Sequence, residues 1–389
     1  MDLSYSPEEE AFRLELRSWL EVAVAAIGEP PDASDWKARR AYDMTWQRML
    51  YDAGYAGIDW PADSGGRGAS PVEQLVFLEE MVRAQAPYVG VGFVGLLHAG
   101  PTIIAEGTPE QRTRYLPPIL RGEEVWCQGF SEPDAGSDLA AMRTRAVLDG
   151  EEYVVTGQKI WTSHAECADM CELLVRTGTE ESRHRGITWL AMPMDLAGVE
   201  VRPLRTVTGS REFAELFLDE VRIPVSNRIG AQDDGWRVAM VTFAFERGTA
   251  FVGELLESRE LVRELASEAR RVGAFDDPAV RRILGELAAE LEALSALTRR
   301  NVTEASRSGV PGIGGSVFKL AFSELRKRIA DVWMDLIGAD GLVWGPAADT
   351  WLNSLSRTIA AGTSQIQRNI LAERVLGLPK EPSSARGGS

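Results

Sequence analysis

Cysteine is scarce in this chain: three residues, at positions 127, 167 and 171, offer no disulfide framework. Histidine is equally scarce, at three residues. Cys167 and Cys171 therefore read as small core residues and not as half of a zinc site, and no metal centre is expected. Such cysteine usage predicts a reducing, cytoplasmic compartment. No apolar run reaches the length of a membrane span. The opening MDLSYSPEEEAFRLELRSWL carries early acids where a secretory signal would carry a basic start and an apolar stretch. It reads instead as a capped amphipathic helix, with Ser6-Pro7-Glu8-Glu9 at its start. Positive charge is also in short supply: 42 Lys and Arg stand against 58 Asp and Glu, a net charge of −16. That balance excludes nucleic acid as an expected partner. An anionic ligand would need a local cluster of arginines, since the global field repels it.

What is present is a large apolar inventory. Of 389 residues, 44% are hydrophobic and 11 are Trp, enough for two or three folded domains. Three blocks differ in texture. Residues 1–122 read as helices, as in PVEQLVFLEEMVRA with Pro71 at a helix start. Residues 123–232 change period. TRAVLDGEEYVVTGQKIWTS holds two runs joined by Asp149-Gly150, a hairpin signal, and CELLVRT, GITWLAMPM, VEVRPL and FAELFLDEVRIP follow as short strands. An antiparallel sheet or barrel is expected there. Helical period returns over residues 233–379, where 236–272, 278–308 and 315–337 each read as one long helix and, with a terminal helix, form a four-helix bundle. The tail KEPSSARGGS reads as disordered. The predicted class is α+β: a helical domain, a β-domain, then a helical bundle.

Two stretches carry chemistry. In WCQGFSEPDAGSDLAAMRTRAVLDGEEYVVTGQKIWTS, Ser131, Gly136 and Ser137 sit in a loop with Pro133, Asp134 and Asp138. Glycine lets backbone approach a ligand, and hydroxyls and N–H groups hold phosphate or a polar ring edge. In SRTIAAGTSQIQRNILAERVLGLP, Gly362, Thr363 and Ser364 supply an N-cap to a helix. The preceding Ile359-Ala360-Ala361 holds nothing that can move a proton.

F-S-E-P-D-A-G-S-D, a DG hairpin, then G-Q-K-x-W-T-S, with G-T-S-Q-I-Q-R-N near the end, resembles the acyl-CoA dehydrogenase family, and the order of domains agrees over residues 3–379. The resemblance implies FAD between the β-domain and the C-terminal helices. It implies oxidation of an acyl-CoA to the trans-2-enoyl-CoA, with electron-transfer flavoprotein taking the electrons. By the same carry-over Gln128, Phe130, Ser131, Gly136 and Ser137 line the flavin, with Ser131 near its pyrimidine edge. Trp161 stacks on the ring, Thr162 and Ser163 lie near N5, and Thr363 and Gln365 also meet FAD. Ser137 touches the CoA portion. Trp161 has a simpler reading as a strand aromatic in the sheet core.

Many members of the family carry the catalytic Glu just before the glycine of that last motif; here the residue is Ala361. Others, isovaleryl- and long-chain members among them, place the base on the first long helix of the C-terminal domain. MVTFAFERGTAFVGELL puts Glu246 there, followed by Arg247 as a CoA contact. Met240, Phe243, Ala244 and Phe251 around it would raise the carboxyl pKa, as α-proton abstraction requires. The bland alternative is that Glu246 pairs with an arginine on a solvated face.

Two family patterns are absent. ASEARRVGAFDDPAVRR replaces R-x-F-G, leaving Arg270 or Arg271 as stand-in anion contacts, and DLIGADG replaces a Gln-x-x-G-G stretch. These departures resemble a bacterial branch acting on bulky or cyclic acyl-CoAs, steroid side-chain thioesters included. A homotetramer or an α2β2 heterotetramer follows as the expected assembly. A structural subunit, or a monooxygenase or oxidase on the same fold, are the competing functions.

Overall fold

The computed structural model describes residues 5–32, 34–87, 89–246, 252–308 and 314–380, with the side chains of 244–246 and 304–308 left out. The chain divides into two compact units, Met1–Gly253 and Glu254–Ser389.

The first unit opens on helices whose starts are written in the sequence. Ser6 and Glu9 form a capping box on α1 (Pro7–Ile27), Asp35 caps α2 (Trp36–Asp52), and Ser70 with Glu73 caps α3 (Pro71–Arg83). A π-helical turn, Gly95–Ala99, leads into α4 (Gly100–Glu106), and α5 (Pro109–Leu120) follows behind a Thr108–Gln111 capping box. Buried Glu80 on α3 accepts hydrogen bonds from Arg13 and Arg17 of α1 and from Arg83. Burial opposes its charge, but hydrogen bonds from Arg17, Arg83 and Arg13 outweigh that and hold the carboxyl down to about 2.

The sheet is built from β1 (Trp126–Gly129), β2 (Arg145–Asp149), β3 (Glu152–Ser163), β4 (Met170–Arg176), β5 (Ile187–Pro193), β6 (Val199–Leu204), β7 (Phe213–Pro224) and β8 (Arg228–Ile229). Its order is β6-β7-β3-β2-β4-β5-β8, with β1 on β4. The β2–β3 hairpin turns at Asp149-Gly150, where Gly150 has φ +61°. Most strand pairs are antiparallel, as expected; β1, however, runs parallel to β4, and β2 meets β4 in parallel at Arg145–Arg176. The chain enters β1 from α5 and runs through an intervening hairpin before β4, a crossover long enough to permit parallel pairing. Cys127, Tyr153, Val155, Cys171, Leu173, Leu190 and Leu216 form the buried centre, and all three cysteines are free and buried.

Helix α6 (Gly235–Glu246) lies against β5, α4 and the π turn. A Cβ at Gly235 would come within 2.5–2.6 Å of the Thr188 and Trp189 backbone, so only glycine lets this helix begin so close to the sheet.

The second unit holds α8 (Pro278–Ser308), α9 (Gly314–Ile337), α10 (Pro346–Arg357) and α11 (Ser364–Ile370), following α7 (Val252–Arg271). The predicted helix over 236–272 is described as α6 and α7, with 247–251 outside the described residues. Helix α10 was not anticipated from the sequence; Pro346 at its first turn was the available signal. Buried Lys319 on α9 donates to the Arg357 and Gly362 carbonyls, tying α9 to the turn before α11. Among the described residues no helix is long and apolar enough to cross a membrane.

Candidate functional site

The loop after β1 is held by one buried carboxylate. Glu132 accepts from Lys159 Nζ at 2.8 Å, from the Thr144 N–H at 2.9 Å and from the Arg143 N–H at 2.6 Å. Lys159, fully buried on β3, also donates to the Phe130 carbonyl at 3.1 Å. Burial pushes the Glu132 carboxyl up, but Lys159 and the hydrogen bonds prevail and hold it below the usual range. The loop is thereby fixed from beneath. Above it, Gly136 and Ser137 are exposed, and a Cβ on Gly136 would meet nothing within 4 Å. The Ser131 carbonyl accepts from the Ile160 N–H at 3.0 Å, and Phe130 is buried edge-on to Phe243 of α6.

Strand β3 ends in a bulge. Its register against β7 slips between Lys159 and Thr162. Tyr153, Val155 and Lys159 point inward at even spacing, which would carry Trp161 inward too. The bulge reverses that alternation: Thr162 turns in and Trp161 turns out, 57% exposed, its ring edge-on to Phe213. Trp161 has φ +62°, a conformation that costs a bulky residue about 1–3 kcal/mol. Thr162 is fully buried, and its hydroxyl has no partner among the described residues. Ser163 is half-buried. A strained, exposed aromatic beside an orphaned buried hydroxyl and an open glycine suits a planar polar ring system lying on this surface. Replacing Trp161 by Gly should therefore leave thermal stability unchanged or raise it by up to about 1 kcal/mol. On the flavin contact that the family resemblance implies for Trp161, the same variant should retain flavin at least about tenfold more weakly, measured by equilibrium titration and a thermal melt in parallel.

Not every predicted contact faces outward. The Gln128 amide donates to Glu172 at 2.7 Å and lies 3.2 Å from His98 Nδ1, so this side chain is turned into a buried polar cluster. His164, directly after the bulge, was not singled out from sequence. It has φ +60°, packs on Trp36, and its Nδ1 has no partner among the described residues. Burial, with nearby Arg39, pushes it down to about 4 from 6.5. The unfolded chain thus takes up a proton below pH 6.5 that the folded chain refuses until about pH 4. Stability is full above 6.5 and is lost as pH falls toward 4, by about 3 kcal/mol at most. Urea midpoints at pH 7.5 and pH 5 should show about 2 kcal/mol of that loss, and His164→Gln should flatten it.

In the second unit Thr363 caps α11, its hydroxyl accepting from the Ile366 N–H at 3.1 Å, and Gln365 is exposed on the first turn. Ala361 has φ +53° and its carbonyl accepts from the Gln367 amide at 3.1 Å. Buried Ser364 Oγ and Gln367 Oε1 have no partner among the described residues. Arg270 stacks on Phe275 and donates to the Ala266 carbonyl, while Arg271 pairs with Glu268; both guanidiniums are engaged locally. Asp335 is exposed. Glu246 ends α6, but its side chain lies outside the described residues, as does Arg247 entirely.

Along the chain, a helical block is followed by a β-sheet carrying a pinned loop and a bulged strand, and then by a second helical block. The N-terminal, middle and C-terminal domains of acyl-CoA dehydrogenase match residues 6–123, 127–221 and 233–376. The chain belongs to the acyl-CoA dehydrogenase family and is an oxidoreductase of that class. It is 40% identical over 385 residues to acyl-CoA dehydrogenase IpdE1 of Mycobacterium tuberculosis, covering 96% of this chain and 98% of that one. It is 41% identical over 338 residues to acyl-CoA dehydrogenase FadE34 of the same organism, covering 86% of this chain and 46% of that one. Among solved structures, the Tcur3481-Tcur3483 steroid ACAD superposes with a TM-score of 0.83 at 30% identity, covering 98% of this chain and all of that chain. The ChsE4-ChsE5 complex from Mycobacterium tuberculosis does so with 0.83 at 31% identity, over 98% of this chain and all of that chain.

Proposed function

We propose that this chain catalyses FAD-dependent α,β-dehydrogenation of a bulky or cyclic acyl-CoA, of the steroid-derived kind that the steroid ACAD similarity suggests. The observation that carries the flavin assignment is the bulge, with Trp161 strained and exposed next to the orphaned Thr162 hydroxyl. By the family resemblance, Ser131, Gly136 and the backbone around Thr162 and Ser163 would meet the cofactor, as would Thr363 and Gln365. FAD, when bound, supplies the hydride acceptor. The chain's own residues do the rest. Glu246 takes the α-proton, because Ala361 offers only a methyl group where many members of the family offer a carboxylate. Ser137 and Arg247 orient the CoA portion. Electron-transfer flavoprotein is the proposed electron acceptor.

The run Leu342-Val343-Trp344, 60–88% exposed, supports assembly with further chains, as a homotetramer or as an α2β2 heterotetramer. The heterotetramer gains weight from the ChsE4-ChsE5 similarity, the latter being a complex. A supporting, non-catalytic subunit is the second reading, favoured by local engagement of Arg270 and Arg271. The visible spectrum of the purified protein decides between them. Bound flavin that bleaches on anaerobic addition of a steroid-type acyl-CoA is expected. A colourless protein that acquires neither FAD nor turnover would establish the supporting role, and rapid reoxidation in air would favour an oxidase.

A further inference from the structure

A cleft of about 530 Å³ opens beside the outer edge of β2, within the first unit. That volume is in the range of small-molecule sites. It exists because β2 and β4 are register partners only at Arg145–Arg176. Beyond that pair, among the described residues, the edge of β2 is unpaired on that side.

The charge in this cleft runs against the rest of the protein. Arg143, Arg145 and Arg176 line it, with Glu180 as the carboxylate among the lining residues. Arg176 is buried and donates to three carbonyls: Ala140 at 2.7 Å, Met142 at 3.2 Å and Arg183 at 2.6 Å. Carbonyls satisfy its N–H groups but do not neutralise its charge. Arg143 and Arg145 are exposed and, two residues apart on extended chain, share one face. Among the described residues, none of the three arginines lies within ion-pair distance of a carboxylate. Most other surface arginines here are paired, as Arg183 is with Asp138 and Arg222 with Asp149. Buried Glu132 and lining Glu180 both act on Arg176, so the positive field at the cleft mouth comes from Arg143 and Arg145, exposed in a chain of net charge −16. Exposed Val147 and Leu148 add an apolar wall.

We propose that this cleft binds a phosphate-bearing anion of nucleotide size, the phosphate held by Arg143 and Arg145 and the remainder lying along Val147 and Leu148. Two sources share this chemistry: the phosphorylated nucleotide end of the substrate's own CoA, or a separate small nucleotide. The first source rests on the acyl-CoA reading above; the charge of the cleft does not.

The test uses the full-length holoprotein and the double variant Arg143→Ala/Arg145→Ala, whose side chains are exposed. Adenosine 3′,5′-bisphosphate and inorganic pyrophosphate are titrated calorimetrically at two salt concentrations. Both are expected to bind the wild-type protein more weakly at high salt, and the variant at least about tenfold more weakly, the loss of one charge-assisted contact or more. If the source is CoA, the variant raises KM for a CoA thioester about tenfold at unchanged kcat, while KM for the same acyl group on pantetheine stays put. If it is a separate nucleotide, the titration shifts but neither KM moves. Equal binding of both anions by wild type and variant, or no binding by either, together with unmoved KM values, overturns the proposal. Should no acyl-CoA bleach the flavin, the proposed function falls while the titration still reports on the cleft.

Discussion

Glu246→Gln is expected to leave FAD content and acyl-CoA binding intact while flavin reduction slows at least about a hundredfold. Glutamine keeps the size and hydrogen-bonding reach of glutamate but cannot take the substrate's α-proton. Stopped-flow bleaching at 450 nm, a wavelength set by the flavin itself at roughly that value, follows the step directly. The second half of the prediction uses the turn before α11. Ala361→Glu in the Glu246→Gln background puts a carboxylate where many members of the family carry theirs. Partial recovery is expected, below wild type, because the turn at Ala361 approaches from a different backbone and a displacement near 1 Å is costly. Near wild-type bleaching by Glu246→Gln alone would eliminate the base assignment and bring the supporting-subunit reading forward.

Lys159→Met should be the most damaging substitution outside the reaction itself. It removes one partner of a buried ion pair and strands Glu132, which also organises the Arg143 and Thr144 N–H groups. Breaking such a pair costs about 3–5 kcal/mol. The expected result is a folded but strongly destabilised protein whose loop after β1 is loosened; on the proposed cofactor site, FAD occupancy then falls with stability. Lys159→Met/Glu132→Gln should recover part of the stability, since no uncompensated charge is left buried, without recovering full FAD retention. Denaturant midpoints and the ratio of absorbance at 450 to 280 nm separate the two effects. Equal stability of the single variant and wild type would refute the clamp.

Many element starts were legible because their signals are local. A Ser-Pro-Glu-Glu start, a Ser70–Glu73 box and an Asp149-Gly150 turn act over four residues or fewer, where chain geometry leaves few alternatives. That Ser131, Gly136 and Ser137 lie in a loop between β1 and β2 was legible too, from residue types that break regular structure. Glu132 and Lys159 lay inside the same motifs but were passed over. The signal was there: Lys159 keeps the inward spacing of Tyr153 and Val155, so a cation was bound for the core and needed a partner. Nothing local said that the partner would be Glu132, 27 residues away.

The amino-acid sequence by itself determined the order of helical and strand segments along the chain, the hairpin, the helix caps, and the absence of a carboxylate at position 361, because each depends on residue identity or on neighbours in the chain. Tertiary structure alone decided which way Trp161 faces. Alternation along β3 points it inward; pairing with β7, a strand about fifty residues on, inserts the bulge that turns it out. The same holds for His164, neutral because helix α2 covers it, and for the cleft at Arg143 and Arg145, open because β2 and β4 part after a single pair. Those properties belong to contacts between distant segments, and no local pattern of residues specifies them.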